Sequence, residues 1–469
     1  MKNRKTFVGP KLRQLRKERQ QTQAQMADAL GLSATYVNLL ENNQRSLSVQ
    51  VLMRLSESYG IDIRTLVEDD APTQLADLRN ALQDPIFGDA RADLQELRAA
   101  LDHCPTLARN LLTLHSSYRA LSERALGMVD AEGVEGGVVH ASPEAIVHDL
   151  FRRNRNYFDT VERAAEAFRA LGPAENDEIY AFLKSHIQND LGIAIKIVPV
   201  SEMPDTLRYY DENTKRLLFS EGLDHLNRTF QFAHIIGLIA YGDIFDAIVA
   251  EAKMADPRGQ ARSRVELANY FAAAVMMPYE AFRGEALACR YDLDHLAARF
   301  GVSFEQVCHR VTTLQRDGAL GVPLFFMRID KAGNVTKRFN ATSFNLAEHG
   351  GACPRLDIHM CFRMPGRFVP QTVEMPDGAR YFTINRTVDR PTFGYRSQDQ
   401  RLAVSLGCAV EHADKLIYAA DAPGGDRATP IGINCRLCPR QHCTQRAQQP
   451  IHLDLPIDEN RRGRTRFES

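Results

Sequence analysis

Three cysteines stand close together near the end of the chain, at Cys435, Cys438 and Cys443 in the segment PIGINCRLCPRQHCTQRA. The C-x-x-C spacing can bring two thiolates to one metal, and the third thiolate can close a face of the site. A complete set needs a fourth ligand from elsewhere, and Cys408 and Cys353 are both candidates. The spacing therefore predicts a metal or cluster site, and the alternative is a set of unligated cysteines in a compact loop.

A second set of chemically informative residues lies in FQFAHIIGLIAYGD and VELANYFAAAVMMP. These segments resemble the ImmA/IrrE-type metallopeptidase domain, in which two histidines of H-E-x-x-H bind zinc and the glutamate activates water. His234 is present, but Ile235 stands at the glutamate position and Leu238 at that of the second histidine. Glu266 matches the third ligand. Because a catalytic zinc needs three protein ligands, the signature is broken and we predict no peptidase activity.

Residues 10 to 67 show the apolar spacing of a five-helix DNA-binding module. Gly31 allows a tight turn, and Ser33 is a natural N-cap for the third helix, SATYVNLLENNQ. The segment resembles the Cro/phage-repressor (XRE) helix-turn-helix family, which implies that the third helix enters the major groove. Lys11 and Arg45 are expected to add positive charge to the interface. Carried over by position, the DNA-contacting residues are Gln23, Ser33, Ala34, Thr35, Tyr36 and Asn38.

Charge supports this interpretation of the N-terminal segment. The first nineteen residues carry eight lysines and arginines against one acid, Glu18, although the net charge of the whole chain is −1. Such an arm can neutralise phosphates and make binding strongly salt-dependent. The alternative is a small helical bundle whose basic face contacts another protein. Proteins of this class read two half-sites of double-stranded DNA, so we expect a homodimer or a higher homo-oligomer.

Length and composition limit the remaining possibilities. A chain of 469 residues suggests about three domains. No run of eighteen apolar residues predicts a membrane helix, and the basic N-terminus lacks the apolar core of a signal peptide. Nine cysteines scattered through a chain of this type favour a reducing cytoplasm. We therefore expect a cytoplasmic protein that makes no contact with a membrane.

The elements that must position these residues suggest a multidomain fold. We predict an all-α helix-turn-helix domain over residues 1–70, a helical linker or dimerisation region over 71–142, an α+β zincin-like, degenerate peptidase domain over 143–320, and a mixed α+β domain over 321–469. Helices are expected over 143–171 and 175–191. The last domain contains strand-like segments that include PLFFMRID, NVTKRF, ARYFTINRTV, RLAVSLGCAV and KLIYAAD.

The order of these modules, with the tail motifs GNVTKRF, GGACP, MPDG, LGC and IGINCRLCPRQHCTQRA, resembles the short-chain fatty acyl transcriptional regulators. The resemblance spans nearly the whole chain. It implies a bacterial transcription factor of propionate- and acetate-type metabolism that senses a short-chain acyl-CoA. It also implies, in at least some relatives, an iron–sulfur cluster such as 4Fe–4S on tail cysteines. With this family in view we rank Cys408 ahead of Cys353, and zinc remains the alternative metal.

Two other functions stay open at the level of sequence. One is a DNA-tethered metallopeptidase that cleaves a repressor, and the other is a transcription factor whose primary input is redox state or iron. Residue spacing by itself does not identify coenzyme A, because the chain has no G-x-x-x-x-G-K-[ST] loop. Arg338, Arg380 and Arg386 are candidates for binding ligand phosphates, although a solvated position is the usual role of a single arginine.

Overall fold

A computed structural model describes residues 9–19, 21–41, 44–45, 48–59, 71–82, 84–87, 92–129, 142–173, 176, 178–254, 256–344, 351–390, 400–421, 428–450 and 460. The chain divides into two compact units, Met1–Val134 and Glu135–Ser469. The predicted boundaries at 70/71 and 320/321 each fall inside one of these units.

The first unit begins with four helices, α1 (Gly9–Glu18), α2 (Gln23–Leu30), α3 (Ala34–Glu41) and α4 (Val49–Tyr59). Their local signals are the predicted ones. Gly31 has φ 61°, in the left-handed region that glycine adopts without steric cost. The Ser33 hydroxyl accepts a hydrogen bond from the Tyr36 amide. The predicted fifth helix, IDIRTLVE, lies outside the described residues. The buried core consists of Leu12, Met26, Ala27, Leu30, Val37, Leu40, Val51 and Leu55.

Three further helices complete the described part of this unit, α5 (Ala71–Leu82), α6 (Leu94–His103) and α7 (Pro105–Val129). They bury a small cluster around Leu78, Leu97 and Ala108. The opposite face of α7 is different, because Leu107 and Leu114 are 68% and 67% exposed.

The second unit contains nine described α-helices. The segment 143–171, predicted to be helical throughout, forms two helices. The first one ends because Arg155 and Asn156 adopt the left-handed backbone, with φ of 50° and 58°. A π-helix at His186–Asp190 follows the third. The helices are α8 (Pro143–Arg153), α9 (Asp159–Arg169), α10 (Ile179–Ser185), α11 (His225–Ala240), α12 (Gly242–Glu251), α13 (Pro257–Met276), α14 (Tyr279–Ala288), α15 (Leu293–Phe300) and α16 (Phe304–Thr312).

Nine described strands form two sheets in this unit. A three-stranded sheet has the order β1-β3-β2, with β1 parallel to β3, and a six-stranded sheet has the order β5-β4-β8-β7-β6-β9. Neighbours in the larger sheet are antiparallel except β6 and β9. The strands are β1 (Ala194–Val198), β2 (Arg208–Asp211), β3 (Arg216–Ser220), β4 (Phe325–Ile329), β5 (Val335–Asn340), β6 (Val369–Glu374), β7 (Arg380–Val388), β8 (Leu402–Ala409) and β9 (Thr429–Pro430).

One sequence prediction in the tail is wrong. KLIYAAD was expected to be a strand, but Ile417–Asp421 is a 3-10 helix. Two hydrogen bonds hold this segment against the start of α15 and the turn before it. The Tyr418 hydroxyl accepts from the Leu293 amide at 2.9 Å, and the Ile417 amide donates to the Arg290 carbonyl at 2.9 Å. Docking onto the helical layer therefore replaces pairing with the sheet.

The two predicted domains of this unit share one core. Its buried members run from Val147 in α8 to Cys408 in β8 and Tyr418 after it. A fully buried ion pair also joins distant helices, because Arg310 of α16 donates to both carboxylate oxygens of Glu162 in α9, at 2.6 and 2.9 Å. Such bidentate pairs are geometrically specific, so this contact fixes α16 against α9.

No single described helix is long and apolar enough to cross a membrane. The pair α11 and α12 passes on combined length and composition, but the two helices are bent by 70°.

Candidate functional site

The predicted DNA-reading residues form one accessible surface at the start of α3. Ser33, Ala34, Thr35 and Asn38 are exposed, and Tyr36 is half-buried. Exposed Arg45 places its guanidinium carbon 5.9 Å from the centre of the Tyr36 ring. The side chain of Lys11 lies outside the described residues. The start of α3 thus presents hydroxyl and amide groups, which can bond base edges in the major groove, and the methyl of Ala34, which can contact a thymine methyl.

Gln23 has a structural role in addition to its predicted one. Its amide nitrogen donates to Glu41 at 2.8 Å and to Asn38 at 3.3 Å. Glu41 is buried and also accepts two hydrogen bonds from Arg16, at 2.6 and 3.1 Å. Burial opposes ionisation of Glu41, but the hydrogen bonds from Arg16 and Gln23 outweigh it and lower the pKa of this carboxyl. This network joins α1 and α2 to the end of α3 and so orients the exposed face.

The peptidase-like residues come together as α11 and α13 pack, but their chemical surroundings are cationic. His234 lies on α11 and is buried, and its Nδ1 is 2.7 Å from a guanidinium nitrogen of Arg208 in β2. Burial, followed by the charge of Arg208, lowers the pKa of His234 to about 3. Ile235 is buried and Leu238 packs against the core. The imidazole is therefore held neutral beside a cation.

Glu266, at the third-ligand position, is neutralised by two side chains that the sequence analysis did not identify. Lys337 Nζ in β5 lies 3.1 Å from Oε2, and Arg262 lies 3.1 Å from Oε1. Asn269 also donates to Oε2 at 3.1 Å. Desolvation opposes ionisation of Glu266, but Lys337 and Arg262 prevail and lower its pKa. A sequence signal for this arrangement is weak, because Lys337 follows Glu266 by 71 residues.

Two cavities border this ion pair. One has a volume of about 170 Å³ and the other about 340 Å³. Both are lined by Glu266, Lys337 and Phe339. The site that would bind zinc in a peptidase is thus bordered by space for a molecule larger than an ion.

The three tail cysteines line a common pocket with Cys353. Cys408 does not lie there: it is fully buried in β8, opposite Phe382 of β7, within the main core. The ranking of Cys408 ahead of Cys353 is therefore corrected. Spacing alone could not distinguish them, because the choice depends on how the turn at Cys353 packs against the segment before Cys435.

Backbone groups lie beside these sulfurs. The amide of Ala447 donates to the sulfur of Cys435 at 3.4 Å. The nearby backbone of Gly432 and Arg355 acts to lower the pKa of Cys353, and that of Arg440 acts to lower the pKa of Cys438, in each case against the effect of burial. Hydrogen bonds of this kind stabilise sulfur that carries negative charge, and they tune iron–sulfur clusters. Gly432 is needed at its position, since a Cβ there would lie 2.6 Å from the sulfur of Cys438.

Two arginines buttress the cysteine pocket. Arg446 is buried, donates to the carbonyls of Cys435 and Arg440, and leaves its Nε without a hydrogen-bond partner in the described structure. Arg440 donates to the carbonyl of Ile431 at 2.8 Å. Burial raises the pKa of Cys353 and of Cys438, so thiols are favoured without a metal. As placed, no three His, Cys, Asp or Glu side chains of the described residues form a ready metal site.

The candidate phosphate-binding arginines differ in their surroundings. Arg380 pairs with Glu374 at 3.2 Å. Arg386 pairs with Asp294, and its guanidinium lies 4.8 Å from the centres of the Phe304 and Phe368 rings. Both therefore take part in packing between elements. Arg338 lines the larger cavity, where a ligand can reach it.

Comparison with known protein families gives three consecutive matches. A helix-turn-helix model matches residues 12–66. A model described as "IrrE N-terminal-like domain" matches residues 188–312, and "Short-chain fatty acyl coenzyme A regulator, C-terminal" matches residues 313–467. The expected resemblances to all three modules are thereby confirmed.

Relatives match over almost the full length of the chain. The "Propionyl-CoA carboxylase regulator" of Cereibacter sphaeroides is 39% identical over 99% of each chain. The "HTH-type transcriptional regulator PrpR" of Mycobacterium tuberculosis is 36% identical, covering 97% of this chain and 94% of the relative, and the regulator RamB from the same species is 35% identical over 97% of each. A solved Mycobacterium tuberculosis transcriptional regulator is 36% identical, with a TM-score of 0.65 over 70% of this chain and 100% of that one.

Proposed function

The chain belongs to the short-chain fatty acyl coenzyme A regulator family, and on this basis we propose that it is a sequence-specific transcription factor controlled by a short-chain acyl-CoA. The single observation that carries the DNA-binding part is the start of α3, where Ser33, Ala34, Thr35 and Asn38 are all exposed. We assign base contacts to these residues and to Tyr36, and backbone contacts to Gln23, Lys11 and Arg45.

Control by the ligand requires that acyl-CoA bind one arrangement of the protein better than another. A tenfold change in DNA affinity needs about 1.4 kcal/mol of coupling. One relative is named a propionyl-CoA carboxylase regulator. The acyl coenzyme A regulator model matches residues 313–467, which follow α16. We therefore propose that unit Glu135–Ser469 binds the acyl-CoA and that the protein acts in the cytoplasm.

We further propose that the tail holds a metal centre, with Cys353, Cys435, Cys438 and Cys443 as its ligands. The chemistry of the donors supports this proposal, because four thiols line one pocket and thiolates are ligands of both zinc and 4Fe–4S clusters, although the described side chains as placed do not form a ready site. When bound, either group would cross-link the tail to the loop at Cys353. The alternative of a redox- or iron-sensing regulator depends on this same site.

Peptidase activity is not part of this proposal. The general base and one zinc ligand are replaced by Ile235 and Leu238, and Glu266 is held by Lys337 and Arg262. Loss of the general base alone is expected to lower the rate of hydrolysis by a factor on the order of 10²–10⁴. A chelator-sensitive cleavage of a repressor by the purified wild-type chain would favour the peptidase alternative.

A homodimer is proposed with α7 as the contact. Leu107, Leu114 and Tyr118 are exposed and lie seven and four residues apart, which is the spacing of a coiled-coil seam, whereas Leu111 packs against the cluster around Leu78. A second copy of this helix is the natural partner, because helix-turn-helix proteins bind two half-sites. Sedimentation of Leu107→Ser/Leu114→Ser variants as monomers would support this contact, and unchanged dimers would exclude it.

The experiment that tests the proposed function is DNA binding by the full chain at one fixed salt concentration, with a panel of acyl-CoA thioesters. We expect one short-chain thioester to change the affinity for the regulated promoter. Equal affinities with every thioester would refute control by acyl-CoA while leaving DNA binding intact.

A further inference from the structure

The two cavities beside the Glu266–Lys337 pair have different linings. The smaller one, of about 170 Å³, has an aromatic wall of Phe151, Phe230 and Phe339. Its polar lining is rich in neutral side-chain amides, which can both donate and accept hydrogen bonds. These amides are Asn156, Asn227, Gln231, Asn269 and Gln306.

Asn156 is the most informative of these residues. It is fully buried, yet neither its Oδ1 nor its Nδ2 has a hydrogen-bond partner among the described residues. A buried amide without hydrogen-bond partners destabilises the fold, so such a group calls for a missing partner. Arg155 and Asn156 also both adopt the left-handed backbone, with φ of 50° and 58°. Strained, unsatisfied residues of this kind concentrate at ligand sites.

The larger cavity has a cationic character. Arg262, Lys337 and Arg338 line it, against the carboxylates of Glu144 and Glu266. His148 also lines it, is buried, and has no hydrogen-bond partner on either ring nitrogen in the described structure. The lining thus carries three cations against two carboxylates, and this excess of one positive charge, with the unsatisfied ring nitrogens of His148, suits an anionic group such as a phosphate.

We infer that these two cavities form one ligand site, in which the smaller cavity takes the acyl group and the amide-bearing arm of an acyl-pantetheine and the larger cavity takes its phosphate end. This inference rests on the proposed function, since it locates the thioester ligand within unit Glu135–Ser469. Glu266, Lys337 and Phe339 are common to the two parts, because they line both. The degenerate zinc position is thus the centre of a binding site for an organic anion.

The test uses the full chain and two probes, propionyl-CoA and propionyl-pantetheine, which lacks phosphate. Ala273 lines the smaller cavity, so Ala273→Leu fills it, and we expect binding of both probes to weaken at least tenfold. Arg262 lines the larger cavity, so Arg262→Gln is expected to weaken propionyl-CoA several-fold and leave propionyl-pantetheine unchanged. Titration calorimetry measures both affinities, and thermal unfolding without ligand verifies that each variant is folded.

Matched controls lie on the same helix. Ala261→Leu and Arg264→Gln alter exposed positions of α13, and Arg264 pairs with Asp246 away from both linings. Both controls should bind the probes as the wild type does. Wild-type affinity in Ala273→Leu, or equal losses for both probes in Arg262→Gln, would overturn the site while the wild type still responds to acyl-CoA. A wild type that binds neither probe, and whose DNA affinity no thioester changes, would instead refute the proposed function.

Discussion

Lys337 and Glu266 lie 3.1 Å apart, Nζ to Oε2, and join β5 of the large sheet to α13 of the helical layer. The carboxylate is 4% exposed and the ammonium 18%. The ion pair thereby forms a contact between the IrrE-like region and the C-terminal sheet.

Replacement of Lys337 by methionine should destabilise this unit. The substitution leaves buried Glu266 with Arg262 as its remaining cation, and we expect the free energy of unfolding to fall by about 1–3 kcal/mol. Urea unfolding of the full chain measures the change. Lys196→Met, at an exposed position of β1, is the matched control and should be nearly neutral. Equal effects of the two substitutions would mean that the ion pair makes no net contribution.

Glu41→Gln should loosen the recognition helix and alter its pH dependence. The substitution removes a carboxylate that accepts from Arg16 and Gln23, and we expect the opening free energy of α3 amides to fall by about 2 kcal/mol. Because the pKa of Glu41 is lowered in the folded state, its contribution is complete above about pH 4.5, its ordinary pKa, and is lost as the pH falls through the folded-state pKa.

Hydrogen exchange of the α1 and α3 amides, followed as the pH is lowered, measures both effects of Glu41→Gln. The variant should lack the loss of amide protection that the wild type shows as the pH falls. Asp28→Asn, at an exposed position of α2, serves as the control. If Glu41→Gln lost as much amide protection at low pH as the wild type does, groups other than Glu41 would be responsible for that loss.

Substitution of single cysteines distinguishes the two candidate fourth ligands. Cys353→Ser should reduce the metal or iron–sulfur content as strongly as Cys435→Ser or Cys438→Ser, because these residues line one pocket. Cys408→Ser should retain full content, since Cys408 is buried in β8. Metal analysis and visible absorption of anaerobically purified protein give the content, and colour separates iron–sulfur from zinc. Loss in Cys408→Ser with retention in Cys353→Ser would reverse the assignment.

Lys11→Gln tests the predicted phosphate contact at the N-terminus. Each lost phosphate contact is expected to reduce the slope of log affinity against log salt by about one. Gel shifts across a salt series measure the slope for Lys11→Gln and for Lys184→Gln, a control in the other unit. An unchanged slope would remove Lys11 from the interface.

The sequence predicted well wherever the determinants are local. Gly31 and Ser33 were predicted as the turn and the cap of α3, and both act as such. Each residue acts on its own few neighbours, so its type and spacing suffice.

Contacts between segments that are distant in the chain could not be predicted from the sequence. Lys337 meets Glu266 across 71 residues, and Arg310 meets Glu162 across 148. The sequence also could not indicate that Cys353, and not Cys408, lies beside the tail cysteines, because this depends on the packing of one loop against another. The cavities beside Glu266 could not be predicted either, because the residues that line them come from α8, α11, α13, α16 and β5.

The central claim is that an acyl-CoA changes how strongly this chain binds its operator. The most direct measurement is fluorescence anisotropy of labelled duplexes, comparing the chain's own upstream region with random sequence, with and without propionyl-CoA at constant salt. We predict tighter binding to the upstream region and a change of at least fivefold on adding the thioester, on the order of 1 kcal/mol of coupling. Identical curves for both duplexes in both conditions would contradict the account.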